Sequence, residues 1–302
     1  MKLNYIVKSD NNFDNLKELL KVQFEISDRL LLKLKRNNKI QVNGMSVSPN
    51  NTIKVNDQIE VNLDFIEDYS NFPSVKMDLD ILYEDECLLI VNKPAGIPVH
   101  PSLNHFVDSL ANGVKYYFDS IELKRKIRPV NRIDKDTSGI VIFAKNEYVQ
   151  EFLVRQMKSG KFTKEYIAIC DGIFESKKGI IDKPIARKTP SIIERCISDD
   201  GDSAITDYEV LQEFNNENNP YSVIKCNLKT GRTHQIRVHM QYIGHSILGD
   251  TLYGYACNLI SRQALHSFSV SFIHPISRSR FKITAPLPSN MKSLCSNLEL
   301  YE

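Results

Sequence analysis

The stretch IRPVNRIDKDTSGIVIFAKN, residues 127–146, decides how the rest of the chain is read. A strand-like entry meets Asp134. Asp136, Thr137, Ser138 and Gly139 then make a turn, and the apolar run after it reads as a buried strand. A carboxylate on a tight turn beside such a strand can be held rigidly at the floor of a cleft. The same residues also suit a plain turn whose Asp and Ser side chains satisfy their own backbone. The flanking sequence has to discriminate.

Working outward, ILYEDECLLIVNKP reads as two short strands around an acidic turn. SGIVIFAK, TKEYIAIC, AITDYEVL, YSVIKCNL, SFSVSFIH and RFKITAP each alternate β-branched or aromatic residues. Helices fit at 147–159 and 234–243; Thr233 is expected to cap the second and Gly244 to end it. Strands outnumber helices and do not alternate with them regularly. That favours an α+β fold around a mostly antiparallel mixed sheet over a doubly wound one. Residues 1–63 read as a small α/β module. Phe24, Leu30, Leu31, Leu32 and Leu34 lie in a helical stretch that Ser27 can cap; KIQVNGMSV turns at Asn43-Gly44, and TIKVNDQIEVNL alternates as a strand. Residues 64–79 lose periodicity, contain Pro73 and read as a linker to a large domain over 80–302.

A length of 302 residues suits this two-part division. With 42% hydrophobic and 25% charged residues, the chain is not mainly disordered, collagen-like or membrane-embedded. No apolar run reaches the roughly 18–20 residues of a spanning helix, so no membrane partner is expected. The start MKLNYIVKSDNN turns polar too soon for a secretory signal, and the cytoplasm is the expected compartment.

The formal charge of +2 neither demands nor excludes nucleic acid; its distribution says more. Arg29, Lys33, Lys35, Arg36 and Lys39 fall in one run without an acid. Arg232, His234, Arg237 and His239 cluster in LKTGRTHQIRVHMQYIGH, residues 228–245. Each run suits a phosphate backbone or a solvated basic face, and the second also suits an internal Asp. The six cysteines are scattered without a C-x-x-C pair, and His234 and His239 are five apart rather than four. Reduced thiols are expected, with no metal site.

The order of these stretches resembles the RluA family of pseudouridine synthases, in the longer form with an N-terminal RNA-binding module like that of ribosomal protein S-four. The family's H-R-L-D-x-x-T-S-G motif stands here as Asn131-Arg132-Ile133-Asp134-Lys135-Asp136-Thr137-Ser138-Gly139. Its K-x-Y segment is Lys164-Glu165-Tyr166, and its T-G-R-x-H-Q-I-R-x-H segment runs from Thr230 to His239. Asn92-Lys93-Pro94-Ala95-Gly96, Val99-His100-Pro101, Gly244-His245, Ile247-Leu248-Gly249-Asp250 and Leu265-His266 complete the set. The match covers about 80–286, and more loosely 14–63.

The resemblance implies that Asp134 breaks the N-glycosidic bond of a target uridine. It implies that Tyr166 lies against the uracil and removes the proton from ring carbon 5, and that Arg237 pairs with Asp134. Arg132 would fill the space left by the displaced base, and Leu265 would touch the uracil. Asn131 in place of the usual His removes a titratable group beside the site.

Detaching, rotating and rejoining a base is redox-neutral, so no metal or organic cofactor is expected. An ionised carboxylate can serve as nucleophile or as base, and a nearby guanidinium favours its charged form. Arg232, His234, Lys33 and Arg36 are expected to add to an RNA-binding track, with salt-sensitive affinity. The expected partner is ribosomal RNA first and transfer RNA second, and a monomer is the default. A non-catalytic RNA-binding or ribosome-assembly factor would keep the track without needing Asp134. An N-glycoside hydrolase would normally need two cooperating carboxylates.

Overall fold

Nine strands between residues 81 and 284 share one mixed sheet in the computed structural model, which describes every residue except 11, 66, 68–71, 216–218 and 296–302. Eight strands lie side by side: Ile81–Glu84, Leu88–Lys93, Ser138–Ala144, Leu265–Ile273, Thr163–Asp171, Tyr221–Leu228, Ile205–Phe214 and Lys178–Asp182. Arg280–Thr284 pairs with Leu265–Ile273. Among the described residues, every pairing in this sheet is antiparallel but one. The exception joins Leu265–Ile273 to Ser138–Ala144 in parallel, over the pairs His266–Ser138 and Ser267–Gly139 alone.

That short junction dictates a glycine. Gly139 has φ +109°, and a Cβ there would lie 2.2 Å from the carbonyl oxygen of Ser267. No other residue lets the two backbones meet. The turn carrying Asp134 leads directly into this junction.

Ser138–Ala144 is buried along its whole length. A strand covered on both faces reads as a continuous apolar run, as this one does. Val141 and Phe143 pack with Leu110, Val114 and Phe118 of the helix Leu110–Ser120. Ile140 and Ile142 face Tyr148, Val149 and Phe152 of Glu147–Lys158. The first of these helices was not expected. Its Gly113 lowers helix propensity, but a Cβ there would lie 2.8 Å from Met77 Cβ, so the glycine serves a close approach.

The N-terminal residues form a four-stranded sheet in the order Lys2–Ile6, Gln58–Asn62, Ile40–Val42, Met45–Ser46, with helices Leu16–Val22 and Asp28–Arg36. Ser27 caps the second helix by accepting the N–H of Leu30 at 3.2 Å. Asn43 and Gly44 both take positive φ, as a two-residue hairpin turn of this kind requires. The strand expected from Thr52 begins only at Gln58. Before it, Asn56 adopts φ 70° and Asp57 Oδ2 accepts the N–H of Lys54 at 2.7 Å, closing a turn.

The described part of the expected linker is pinned rather than loose. Asp64 pairs with the N-terminal ammonium and with Arg125. Glu67 accepts both Nη atoms of Arg128, at 2.7 and 2.6 Å. One buried cluster runs without a break from Leu16 and Leu34 to Tyr148, Phe152 and Phe272, so the module shares a core with the large sheet. No helix among the described residues is long and apolar enough to cross a membrane.

Candidate active site

Beside the parallel junction lies a cleft of about 920 Å³. It brings together Arg132, Asp134, Tyr166, Arg232, His234, Arg237 and Leu265 from four separate stretches of sequence. Lys33 lines a neighbouring cavity of about 660 Å³, which shares His100, Pro101, Ser102 and Pro129 with the cleft. Arg36 is exposed at the end of Asp28–Arg36 and lines neither.

The Asp134 turn is fastened from several sides. Its own carbonyl accepts the N–H of Thr137 at 3.1 Å. The next carbonyl, of Lys135, accepts Gly96 N–H at 3.0 Å and Lys93 Nζ at 2.7 Å. Lys93 is fully buried and also donates to the carbonyls of Pro94 and Ile97, at 2.8 and 2.9 Å. Burial lowers its pKa to about 7, yet three carbonyl acceptors match the three N–H bonds of an ammonium, and that geometry favours the charged form. Arg262 donates to the carbonyl of Asp136 at 3.1 Å, and Gln263 to Thr137 Oγ1 at 3.1 Å. Behind the turn, Ser138 Oγ meets His266 Nδ1 at 2.9 Å.

Arg237 Nη1 donates to Asp134 Oδ2 at 3.1 Å. Its other edge grips Asp250, with Nε to Oδ2 at 2.7 Å and Nη2 to Oδ1 at 2.9 Å. Burial would lower the guanidinium's pKa, but the Asp250 bonds and the Asp134 charge raise it above its ordinary value. Tyr166 is buried on Thr163–Asp171. Burial first, and the Asp134 carboxylate with it, push its phenol up to about 12.

The helix of the T-G-R-x-H segment starts one residue later than expected, at Gln235. His234, not Thr233, is its N-cap, at φ 59° and without a side-chain cap. Gln235 instead ties down the loop before the helix: its Oε1 accepts from Thr230 Oγ1 at 2.8 Å and from Arg232 N–H at 3.0 Å. His239 is spent on Thr206 and the carbonyl of Lys183.

Asn131 is equally committed. Its amide donates to the carbonyl of Ile140 and accepts the N–H of Ile142, both at 2.9 Å. This departure from the family motif therefore holds the strand after the turn. Lys33 pairs with Glu147 at 3.1 Å and with Glu67 at 3.4 Å, and Arg29 with Glu147 at 3.0 Å. Much of the expected basic track is thus neutralised within the chain. Lys35, Arg36 and Arg132 have no ion-pair partner among the described residues.

Lys93, Asp250 and Tyr253 were not expected to act at the site. The first two lie inside the quoted motif segments, but nothing in their spacing announces a partner. Asp85, Cys87 and His274 also come together, at the opposite end of the strands from Asp134. There His274 Nδ1 accepts the N–H of Ser277, which leaves Nε2 to donate to Asp85 at 2.9 Å. This arrangement staples two hairpins.

A mixed sheet beside a cleft that holds an Asp–Arg pair and a buried tyrosine belongs to a recognisable group of proteins. Residues 87–242 match the RNA pseudouridylate synthase family. Bacillus subtilis YhcT, described as an uncharacterized RNA pseudouridine synthase, is 36% identical over 97% of this chain and 96% of its own length. The ribosomal large subunit pseudouridine synthase D of Pasteurella multocida is 34% identical over 87% of this chain and 84% of its own. Human RNA Pseudouridylate Synthase Domain Containing 1 superposes with a TM-score of 0.59 at 25% identity, over 71% of this chain and 85% of that one. The chain belongs to the RNA pseudouridylate synthase family, within its RluA branch. It is an isomerase that converts uridine in RNA to pseudouridine.

Proposed function

We propose that Asp134 is the catalytic carboxylate and that the target uridines lie in large-subunit ribosomal RNA. The observation that carries the first part is the 3.1 Å pair of Asp134 with Arg237 at the floor of a cleft also lined by Tyr166. Attack at the sugar or ring, and proton abstraction from the ribose, need the same ionised oxygen beside a fixed cation. Asp134 Oδ1 has no partner among the described residues, so one carboxylate oxygen is left for the reaction.

A stacked uracil must be extruded to reach this oxygen, at a cost of a few kcal/mol. Stacking on the ring of Tyr166 offsets about 1–3 kcal/mol of that. A phenol raised to about 12 holds its proton at neutral pH, so Tyr166 serves first as a surface. It can take a proton from ring carbon 5 only as it passes on its own. Arg132, exposed at the rim and without an ion-pair partner among the described residues, fills the vacated stack.

The ribosomal assignment rests on the relatives named as large-subunit enzymes, and on an N-terminal module suited to structured RNA. A cytoplasmic site of action goes with this reading, and a monomer is the default state. Transfer RNA is the second candidate substrate.

Tritium release from RNA labelled at uridine carbon 5 tests the chemistry. Asp134→Asn should abolish release and leave RNA affinity nearly unchanged; a fully active variant removes Asp134 from the reaction. Mapping pseudouridines in total RNA from cells with and without the gene tests the substrate. Loss of a transfer-RNA site alone would overturn the ribosomal reading.

A further inference from the structure

A turn that the chemistry above does not use reaches the cleft from behind. Asp250 holds Arg237, and its Oδ1 also accepts the N–H groups of Leu252 and Tyr253, at 3.0 and 3.2 Å. The ring of Tyr253 lies 4.9 Å from the Arg237 guanidinium carbon. Its hydroxyl accepts the N–H of Arg195 at 2.7 Å and meets His234 Nδ1 at 2.8 Å. Two buried side chains of one turn, Asp250 and Tyr253, therefore position both basic neighbours of Asp134.

The hydrogen bonds assign the tautomer of His234. Tyr253 is 4% exposed, and its oxygen already accepts from Arg195. Among the described residues, no other acceptor is within reach of its own proton, which therefore goes to His234 Nδ1. The neutral imidazole then carries its hydrogen on Nε2. Burial, which lowers the pKa of His234 even with Asp134 close by, favours this neutral state.

Nε2 lies 3.9 Å from Asp134 Oδ2. That is too far for a hydrogen bond. It does fit one oxygen placed off the line between them, at about 2.8 Å from each. Such an oxygen has to accept from Nε2–H and donate to a carboxylate. In a uridine inside an RNA chain the 3′ and 5′ oxygens are esterified, the uracil oxygens only accept, and N3–H only donates. The 2′-hydroxyl is the one atom that does both.

We propose that His234 and Asp134 together bind the ribose 2′-hydroxyl of the target uridine, and that Tyr253 is a positioning residue that fixes His234 for this contact. The proposal rests on Asp134 being the catalytic carboxylate. It makes the cleft select RNA over DNA at the nucleotide that reacts. Asp134 Oδ2 then serves Arg237 and the sugar, while Oδ1 stays free.

The probe is large-subunit ribosomal RNA transcribed in vitro and doped sparsely with nucleotide tritiated at carbon 5, either uridine or 2′-deoxyuridine. Released tritium then reports only on the doped nucleotide, in an otherwise native RNA. With enzyme in excess, the wild type should release at least about 10-fold more slowly from the deoxy probe. His234→Asn keeps a residue that tolerates positive φ and a side-chain partner for Tyr253, but has no atom at Nε2. It should be slower on uridine and should treat the two probes alike within about 3-fold. Tyr253→Phe should narrow the ratio in the same direction.

Equal wild-type rates on both probes would overturn the proposal. So would a His234→Asn variant that keeps the full wild-type ratio. A wild type silent on the uridine probe would instead overturn the ribosomal assignment. Unchanged uridine activity in Asp134→Asn would remove the catalytic reading beneath both.

Discussion

Arg237 reaches Asp134 only because Asp250 holds it from behind: two parallel bonds of 2.7 and 2.9 Å leave Nη1 alone to face the cleft. Asp250 is 1% exposed and Arg237 6% exposed, so the grip works where water cannot compete. Removing one member of a buried pair leaves an uncompensated charge, and typically costs about 3–5 kcal/mol. Asp250→Asn should sit near the low end, because Asp134 still neutralises part of the guanidinium. Calorimetry should show a clear fall in melting temperature. Single-turnover tritium release should fall about 100-fold, the usual consequence of a catalytic group misplaced by an ångström.

Lys93 supports a different prediction, because it touches carbonyls rather than carboxylates. Lys93→Met removes the bonds to Pro94, Ile97 and Lys135 and relieves the burial of a charge. The two effects partly cancel in stability. The Lys135 carbonyl loses its ammonium, and the Asp134 turn loosens. A melting temperature within a few degrees of wild type, with a rate reduced at least about 10-fold, is the expected pair of results. A variant with wild-type rate would show that Gly96 alone holds the turn.

His266 sets an acid limit on the fold. It is fully buried between Ser138 and the carbonyl of Ala285, and burial lowers its pKa to about 4 from an ordinary 6.5. The unfolded chain therefore binds this proton first as the pH falls. Its contribution to stability is intact above about pH 6.5 and declines between there and pH 4, by roughly 3 kcal/mol in all. His266→Gln should flatten that part of the curve when urea midpoints are compared at pH 7 and pH 5. An unchanged slope would assign the acid sensitivity to other groups.

The ion pairs that dock the N-terminal module withhold cations from RNA. Glu67 and Glu147 hold Lys33, Arg29 and Arg128. Glu67→Gln with Glu147→Gln should release them. Amide exchange over Asp28–Arg36 should quicken, since the module loses its polar seam but keeps its apolar one. The slope of log affinity for ribosomal RNA against log salt should steepen by about 0.7–0.9 for each cation that finds a phosphate. An unchanged slope would mean that the freed side chains stay out of contact.

The sequence determined a good deal alone, wherever the information is local. Alternation placed most strands of the large sheet. Ser27 marked the start of its helix, Asn43-Gly44 its hairpin and Ile140–Ala144 a buried strand, because caps, turns and periodicity are written within a few residues. Motif order pointed to the cleft and its chemistry for the same reason.

Only the tertiary structure decided what depends on distant partners. Helix Leu110–Ser120 contradicts its own Gly113, which answers to Met77. Basic residues such as Lys33 look alike in sequence whether they face phosphate or, as here, a carboxylate more than a hundred residues away. Asp250 and Tyr253 carry no sign of the arginine and histidine they orient. A side chain's electrostatic partner is set by the closing of the sheet, and a one-dimensional pattern does not record which of two like charges will meet across it.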